Sequence, residues 1–150
     1  MRTLVAMLAA VALSSPSWAQ DDTETVSDPP LITEAETLDP FLWVARPVIV
    51  FADAPNDPRF LEQIGLLEAR KEELFTRDVV VITDTDPAAG SELRRQLRPR
   101  GFQLVVIGKD GQVKLRKPAP WSVREITRQI DKFPLRRQEI REGKQAAGAG

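Results

Sequence analysis

Two sets of charged residues could do chemistry in this 150-residue chain, and they belong to a sequence with no cysteine and no histidine. Asp53 and Asp57 follow one apolar run; Asp84 and Asp86 follow the next. Carboxylates gathered at one end of neighbouring strands could hold calcium, or one could rise in pKa and accept a proton. The same residues also have ordinary uses, since aspartates cap helices and fill turns, and their spacing is not that of an EF-hand loop. The second set is basic. Arg124, Arg128 and Lys132 recur at every fourth residue, Arg136 and Arg137 extend the charge, and Lys109, Lys114 and Arg116 lie just upstream. Guanidinium forks suit carboxylates and phosphates, so the partners in view are an acidic protein segment, an anionic glycan or a lipid headgroup. A solvated helix face would show the same spacing.

Composition removes several function classes. Without a thiolate there is no attacking sulfur, and without imidazole the side chain best suited to proton transfer near neutrality is missing. The Ser and Thr residues have no histidine to activate them, and no glycine-rich phosphate loop is present. The sequence therefore assigns no catalytic residue, no metal and no cofactor. Nucleic acid is a poor partner for a basic series with no interleaved aromatic platform. Net charge is −1, but unevenly spread: residues 20–40 carry seven acids and no base, whereas residues 100–150 sum to +7.

The chain's ends read as accessory. Arg2, the apolar run Leu4 to Leu13, and Ser17-Trp18-Ala19 have the form of a signal peptide over residues 1–19, cut after Ala19, which predicts export to the periplasm or the medium. The run is well short of the roughly 20 apolar residues a membrane span needs, so no transmembrane segment is expected. Residues 20–38, acidic and bearing two adjacent prolines, are expected to form a disordered leader. Residues 143–150, GKQAAGAG, are expected to be a flexible tail.

Residues 39–142 hold the elements that must position the charges. Pro47–Ala52 and Asp78–Thr83 are continuous apolar runs of the kind found in strands buried on both faces. Between them Phe60, Ile64, Leu67 and Leu74 mark one long helix opened by Asp57-Pro58, with Glu73 placed to pair with Arg77. Ser91–Leu97 is a short helix. Phe102–Ile107 and the alternating Gln112–Lys117 flank Gly108-Lys109-Asp110-Gly111, a hairpin signal. The last helix opens on Ser122 and Glu125, a capping box, with Trp121 and Ile126 as a hydrophobic staple, and Pro134 then interrupts it. The order is βαβαββα: an α/β fold with a four-stranded mixed sheet and helices on both faces, matching the thioredoxin core.

Four stretches, Trp43–Ala52, NDPRF at 56–60, GKDGQVKLR at 108–116 and FPLRRQEIRE at 133–142, resemble the secreted thioredoxin-like domain of unknown function called P-DUDES, found in bacteria and in vertebrate extracellular proteins such as equarin and sushi-repeat proteins. The resemblance implies a thioredoxin-like, noncatalytic module outside the cytoplasm. Against catalytic thioredoxins, Ala54-Pro55-Asn56-Asp57 falls where the redox CxxC would sit, and Gln103 lies near the place of their cis-proline. The function expected from all this is a secreted, nonenzymatic binding module using its basic C-terminal surface, with a carboxylate enzyme or calcium site at the aspartate end as the alternative.

Overall fold

Strand β1 (Arg46–Phe51) is buried at every position, as an apolar strand must be when layers cover both of its faces. It pairs in parallel with β2 (Val79–Asp84), Arg46 opposite Val79 through Phe51 opposite Asp84, and antiparallel with β3 (Gln103–Ile107). The chain then turns through Gly108–Gly111, where Gly111 takes φ +78°, into antiparallel β4 (Val113–Lys117), giving the order β2-β1-β3-β4. The computed structural model describes residues 29–149. The expected signal peptide, its cleavage point and the leader up to residue 28 lie outside those described residues.

Helix α1 (Pro58–Ala69) opens on Asp57, whose carboxylate accepts the Arg59 N–H at 2.9 Å, with Pro58 at the first position. The expected single long helix is instead two. Arg70 leaves helical geometry (φ −133°, ψ 36°) while its N–H closes onto the Leu67 carbonyl, and α2 (Lys71–Phe75) restarts at an angle that buries Leu74. The Glu73 carboxylate accordingly pairs with Arg70, and the expected partner Arg77 instead donates to the Glu73 main-chain carbonyl at 2.8 Å. Short α3 (Glu92–Leu97), α4 (Val123–Ile130) and α5 (Pro134–Gly148) complete the chain.

Strand alternation divides the core into two layers. Val48, Val50, Val81, Leu104 and Val106 meet Leu67, Leu74, Val123, Ile126 and Ile130, while Ile49, Phe51, Ile82, Val105 and Ile107 meet Leu93, Leu97 and Leu38. Ser122 and Glu125 form the capping box of α4, and Trp121 packs against the first layer. Gln63 is buried in α1, where apolar patterning gives no place for it. Its amide donates to the Trp121 carbonyl at 2.9 Å and accepts the Trp121 N–H at 2.8 Å, holding the β4–α4 loop onto α1.

Both expected loose ends are more ordered than composition suggests. Leu31 and Leu38 are buried, and Leu31–Thr33 lies parallel to β2, with Val81 N–H donating to Leu31 and Thr33 N–H donating to Val81. The leader expected through residue 38 therefore ends by Leu31. An open β2 edge leaves its peptide groups unpaired, and this short segment satisfies both those of Val81 at its middle. At the other end Pro134 starts α5 instead of interrupting a helix, and residues 143–148 continue it, since Lys144, Gln145, Ala146 and Ala147 are strong helix formers.

An ionic network centred on one buried guanidinium ties α5 to the end of the sheet where β1 begins. Arg46, 1% exposed, donates to the Arg77 carbonyl at 2.8 Å and to Glu139 at 3.0 Å. Glu139 also accepts from Lys109 at 2.8 Å, and Lys109 reaches Asp78 at 2.8 Å. Arg77 forks onto Asp131 with two bonds of 2.9 Å, and Arg136 touches both Asp131 and Glu139 at 3.4 Å. The Arg77 hydrogen bonds hold the Asp131 pKa below its ordinary value. Burial opposes the charge of Glu139, but the bonds from Lys109 and Arg46 outweigh it and lower that pKa as well.

Replacing Gln63 with leucine should strand the Trp121 N–H and carbonyl and cost about 1–3 kcal/mol, read as a lower urea midpoint at unchanged slope; an unchanged midpoint would contradict the role given to this amide. The network predicts acid sensitivity. Because Asp131 and Glu139 hold protons less tightly folded than unfolded, their contribution is complete at neutral pH. It fades as pH falls through the ordinary values of 3.8 and 4.5 and is gone below the depressed folded-state values. Urea unfolding between about pH 7 and pH 3 should show that decline, and Asp131→Asn should be less stable at neutral pH with a shallower decline. A wild-type acid profile in Asp131→Asn would exclude the linkage.

Candidate functional site

The carboxylates after β1 and β2 do lie at one end of the sheet, because the two strands are parallel and in register through Phe51 and Asp84. Each, apart from exposed Asp53, is engaged locally. Asp57 caps α1 and takes the Arg59 guanidinium at 3.0 Å, and that hydrogen bond lowers its pKa. Asp84 accepts from the Ser91 hydroxyl at 2.5 Å and from Arg94 at 2.8 Å. Burial opposes its ionisation, but these bonds outweigh burial and keep its pKa low. Asp86 caps the short turn Pro87–Ala89 through the Ala88 N–H. Among the described residues no three His, Cys, Asp or Glu side chains are placed to hold one metal ion.

Arg94 explains why Asp84 is spoken for. Its guanidinium also donates to the carbonyls of Ala52 at 2.7 Å and Asp84 at 3.0 Å, and lies over the Phe51 ring at 5.4 Å. One cation thus clamps the C-terminal ends of the two parallel strands. The neighbouring loop Ala54–Asp57, in the position of a redox motif, is a turn closed by the Asp57 N–H on Ala54. Gln103 is equally occupied, its side-chain oxygen accepting from Arg116 at 3.0 Å. With no thiol in the sequence, none of these groups can carry out thiol exchange.

The basic residues do not form one surface. Lys109 and Arg136 belong to the ionic network at the start of β1. Lys114 pairs with Asp110 at 2.8 Å, and burial and that bond act on Asp110 in opposite senses, the bond prevailing to lower its pKa. Arg116 turns to the α3 side of the sheet, where it donates to the Leu97 carbonyl at 2.8 Å. The remaining four, Arg124, Arg128, Lys132 and Arg137, are exposed on α4 and the α4–α5 corner and make no ion pair among the described residues. The i, i+4 spacing of Arg124, Arg128 and Lys132 makes them neighbours along α4 and its end.

Arg46, Asp78, Asp131 and Glu139, which organise the network, were absent from the sequence-based candidates. The signal was present in Arg46: a cation directly before an all-apolar strand must be paired if the strand's first position is buried. Its partner Glu139 is 93 residues away, beyond the range of any periodicity.

This architecture is similar to solved thioredoxin-fold structures. A chloroplastic thioredoxin z is 25% identical, with a TM-score of 0.52 over 68% of this chain and 94% of that one. A reduced 2-Cys peroxiredoxin from Plasmodium vivax is 16% identical, with a TM-score of 0.51 over 72% of this chain and 84% of that one, a likeness of fold alone. The fold is therefore thioredoxin-like. Residues 37–139 match a family model that begins just before the docking of the chain at Leu38 and ends at the network carboxylate Glu139, and the chain belongs to that family, the domain of unknown function DUF4174.

Proposed function

We infer that the protein is an exported, noncatalytic thioredoxin-like interaction module of the P-DUDES kind, working in the periplasm or the medium, which engages an acidic protein segment through the exposed face of α4. The supporting observation is the unequal use of its cations. Lys109, Lys114, Arg116 and Arg136 are engaged within the domain, whereas Arg124, Arg128, Lys132 and Arg137 are exposed without an ion pair among the described residues. Unpaired guanidinium groups one helical turn apart can each fork onto a carboxylate, and an extended acidic segment offers carboxylates at comparable intervals. Among the described residues no helix is long and apolar enough to cross a membrane.

The aspartate end supports a second function less well, because Asp57, Asp84 and Asp86 already have internal partners.

Changing Arg124, Arg128 and Lys132 together to glutamate tests the assignment. A polyglutamate peptide should bind the native protein in a salt-dependent manner and bind the variant at least about tenfold more weakly, while the melting temperature stays within a few degrees, because the replaced side chains are exposed. Equal binding by both proteins would overturn the α4 surface. Heparin or anionic vesicles binding more tightly than polyglutamate, and lost in the same variant, would move the partner to a glycan or a lipid headgroup.

A further inference from the structure

A cavity of about 180 Å³ lies between the β3–β4 turn and the start of α5, lined by Trp43, Arg46, Lys109, Lys114, Phe133 and Leu135. We propose that it binds a carboxylate bearing an adjoining apolar group the size of a single ring or a leucine side chain. This site is separate from the α4 face and built from different residues. An engineered protein cavity of about 150 Å³ holds benzene, so the volume suits one such group.

The walls supply the apolar half: the Trp43 indole, Phe133 and Leu135. The cations supply the other. A guanidinium has five N–H donors, and Arg46 uses two side-chain atoms, one on the Arg77 carbonyl and one on Glu139. An ammonium has three; Lys109 commits to Asp78 and Glu139, and Lys114 to Asp110 alone. Donor capacity therefore remains at Lys109 and Lys114, whose side chains keep some exposure, while Arg46, 1% exposed, contributes positive charge behind them. Asp110, Glu139 and Asp78 pair with these three cations, and over the network together with the Lys114–Asp110 pair five cations, Arg46, Arg77, Lys109, Lys114 and Arg136, meet four carboxylates, Asp78, Asp110, Asp131 and Glu139, a surplus suited to one negative charge and not to a phosphate dianion.

Two further features favour an anion with an apolar body. α5 is 15 residues long and opens with no side-chain cap: Pro134 has no N–H, and the amides of Leu135 and Arg136 begin the helix at the positive end of its dipole. Trp43 adopts φ +63°, strained for a bulky residue, and is held there by its N–H on the Lys109 carbonyl at 2.7 Å. That strain presents an indole 69% exposed beside the cavity instead of packing it in the core. The segment is closely fitted to the turn, since a Cβ at Gly111 would stand 2.7 Å from the Leu42 side chain.

The chemistry is shared by a free organic acid and by the C-terminal residue of a protein chain, and titration followed by ¹H–¹⁵N NMR separates them. Phenylacetate should shift the Trp43 indole N–H, assigned with Trp43→Phe, in a saturable manner. Its neutral analogue phenylacetamide should bind at least about tenfold more weakly, as expected for loss of a charge-assisted hydrogen bond. Lys114→Met, which disturbs only the pair with Asp110, should weaken phenylacetate with the rest of the spectrum preserved. A tetrapeptide ending in phenylalanine that binds more tightly than phenylacetate, with its C-terminal amide silent, identifies a chain terminus as the source; phenylacetate binding with the peptide silent identifies a free acid. The proposal is overturned if neither phenylacetate nor the peptide shifts Trp43 at about 10 mM, or if phenylacetamide binds as tightly as phenylacetate.

Discussion

Burying one guanidinium at the start of the central strand constrains much of this molecule. An ion taken from water costs several kcal/mol unless it is paired and hydrogen-bonded, and Arg46 has almost no contact with solvent. Its two bonds therefore decide where other elements go. The Arg77 carbonyl fixes the chain as it leaves α2 for β2, and Glu139 fixes the first turns of α5 across the end of the sheet. Because Glu139 is shared with Lys109, the β3–β4 turn is drawn to the same point. Arg77 and Arg136 then meet on Asp131 and set the corner between α4 and α5. With α5 placed this way, Phe133 and Leu135 stand opposite the β3–β4 turn and enclose the cavity beside Trp43.

Ionic clamping at both ends of the sheet explains how the remaining charges are free to act. Arg94 secures the ends of β1 and β2 through Asp84 and the Ala52 carbonyl, and Ser91 adds a bond to the same Asp84. Among the described residues Arg124, Arg128, Lys132 and Arg137 make no ion pair. The α4 face and the Trp43 cavity are places where cations keep hydrogen-bonding capacity among the described residues.

Local patterning made the strands and most helices legible. Each strand begins and ends within about a residue of its apolar run, and Ser122 with Glu125 marks the start of α4 by a mechanism contained in four consecutive residues. What could not be read depends on partners distant in sequence. Leu31 and Leu38 sit in an acidic stretch whose composition argues for disorder, yet the uncovered β2 edge and two hydrophobic layers give them places to dock. Gln63 is polar on an apolar face because the main chain of Trp121, 58 residues on, needs both a donor and an acceptor. The basic residues showed helical spacing but not which of them had partners within the domain, and those contacts divide one apparent surface into a structural half and a half without ion pairs among the described residues. Trp43 with Arg46, Lys109 and Glu139 come from three separate stretches of sequence, which the fold assembles at the start of β1.

The dependence of the architecture on Arg46 and Glu139 is tested most directly by a double-mutant cycle, with Arg46→Met, Glu139→Gln and the pair compared by urea unfolding at neutral pH. Either single change removes the direct ion pair, leaving Glu139 to Lys109 and Arg136 or Arg46 to the Arg77 carbonyl alone, so each should destabilise, and the double variant should be more stable than the sum of the two losses by about 2 kcal/mol or more. Losses that add within about 0.5 kcal/mol would show that the two residues are independent, and that the end of the sheet is held by something other than this bond.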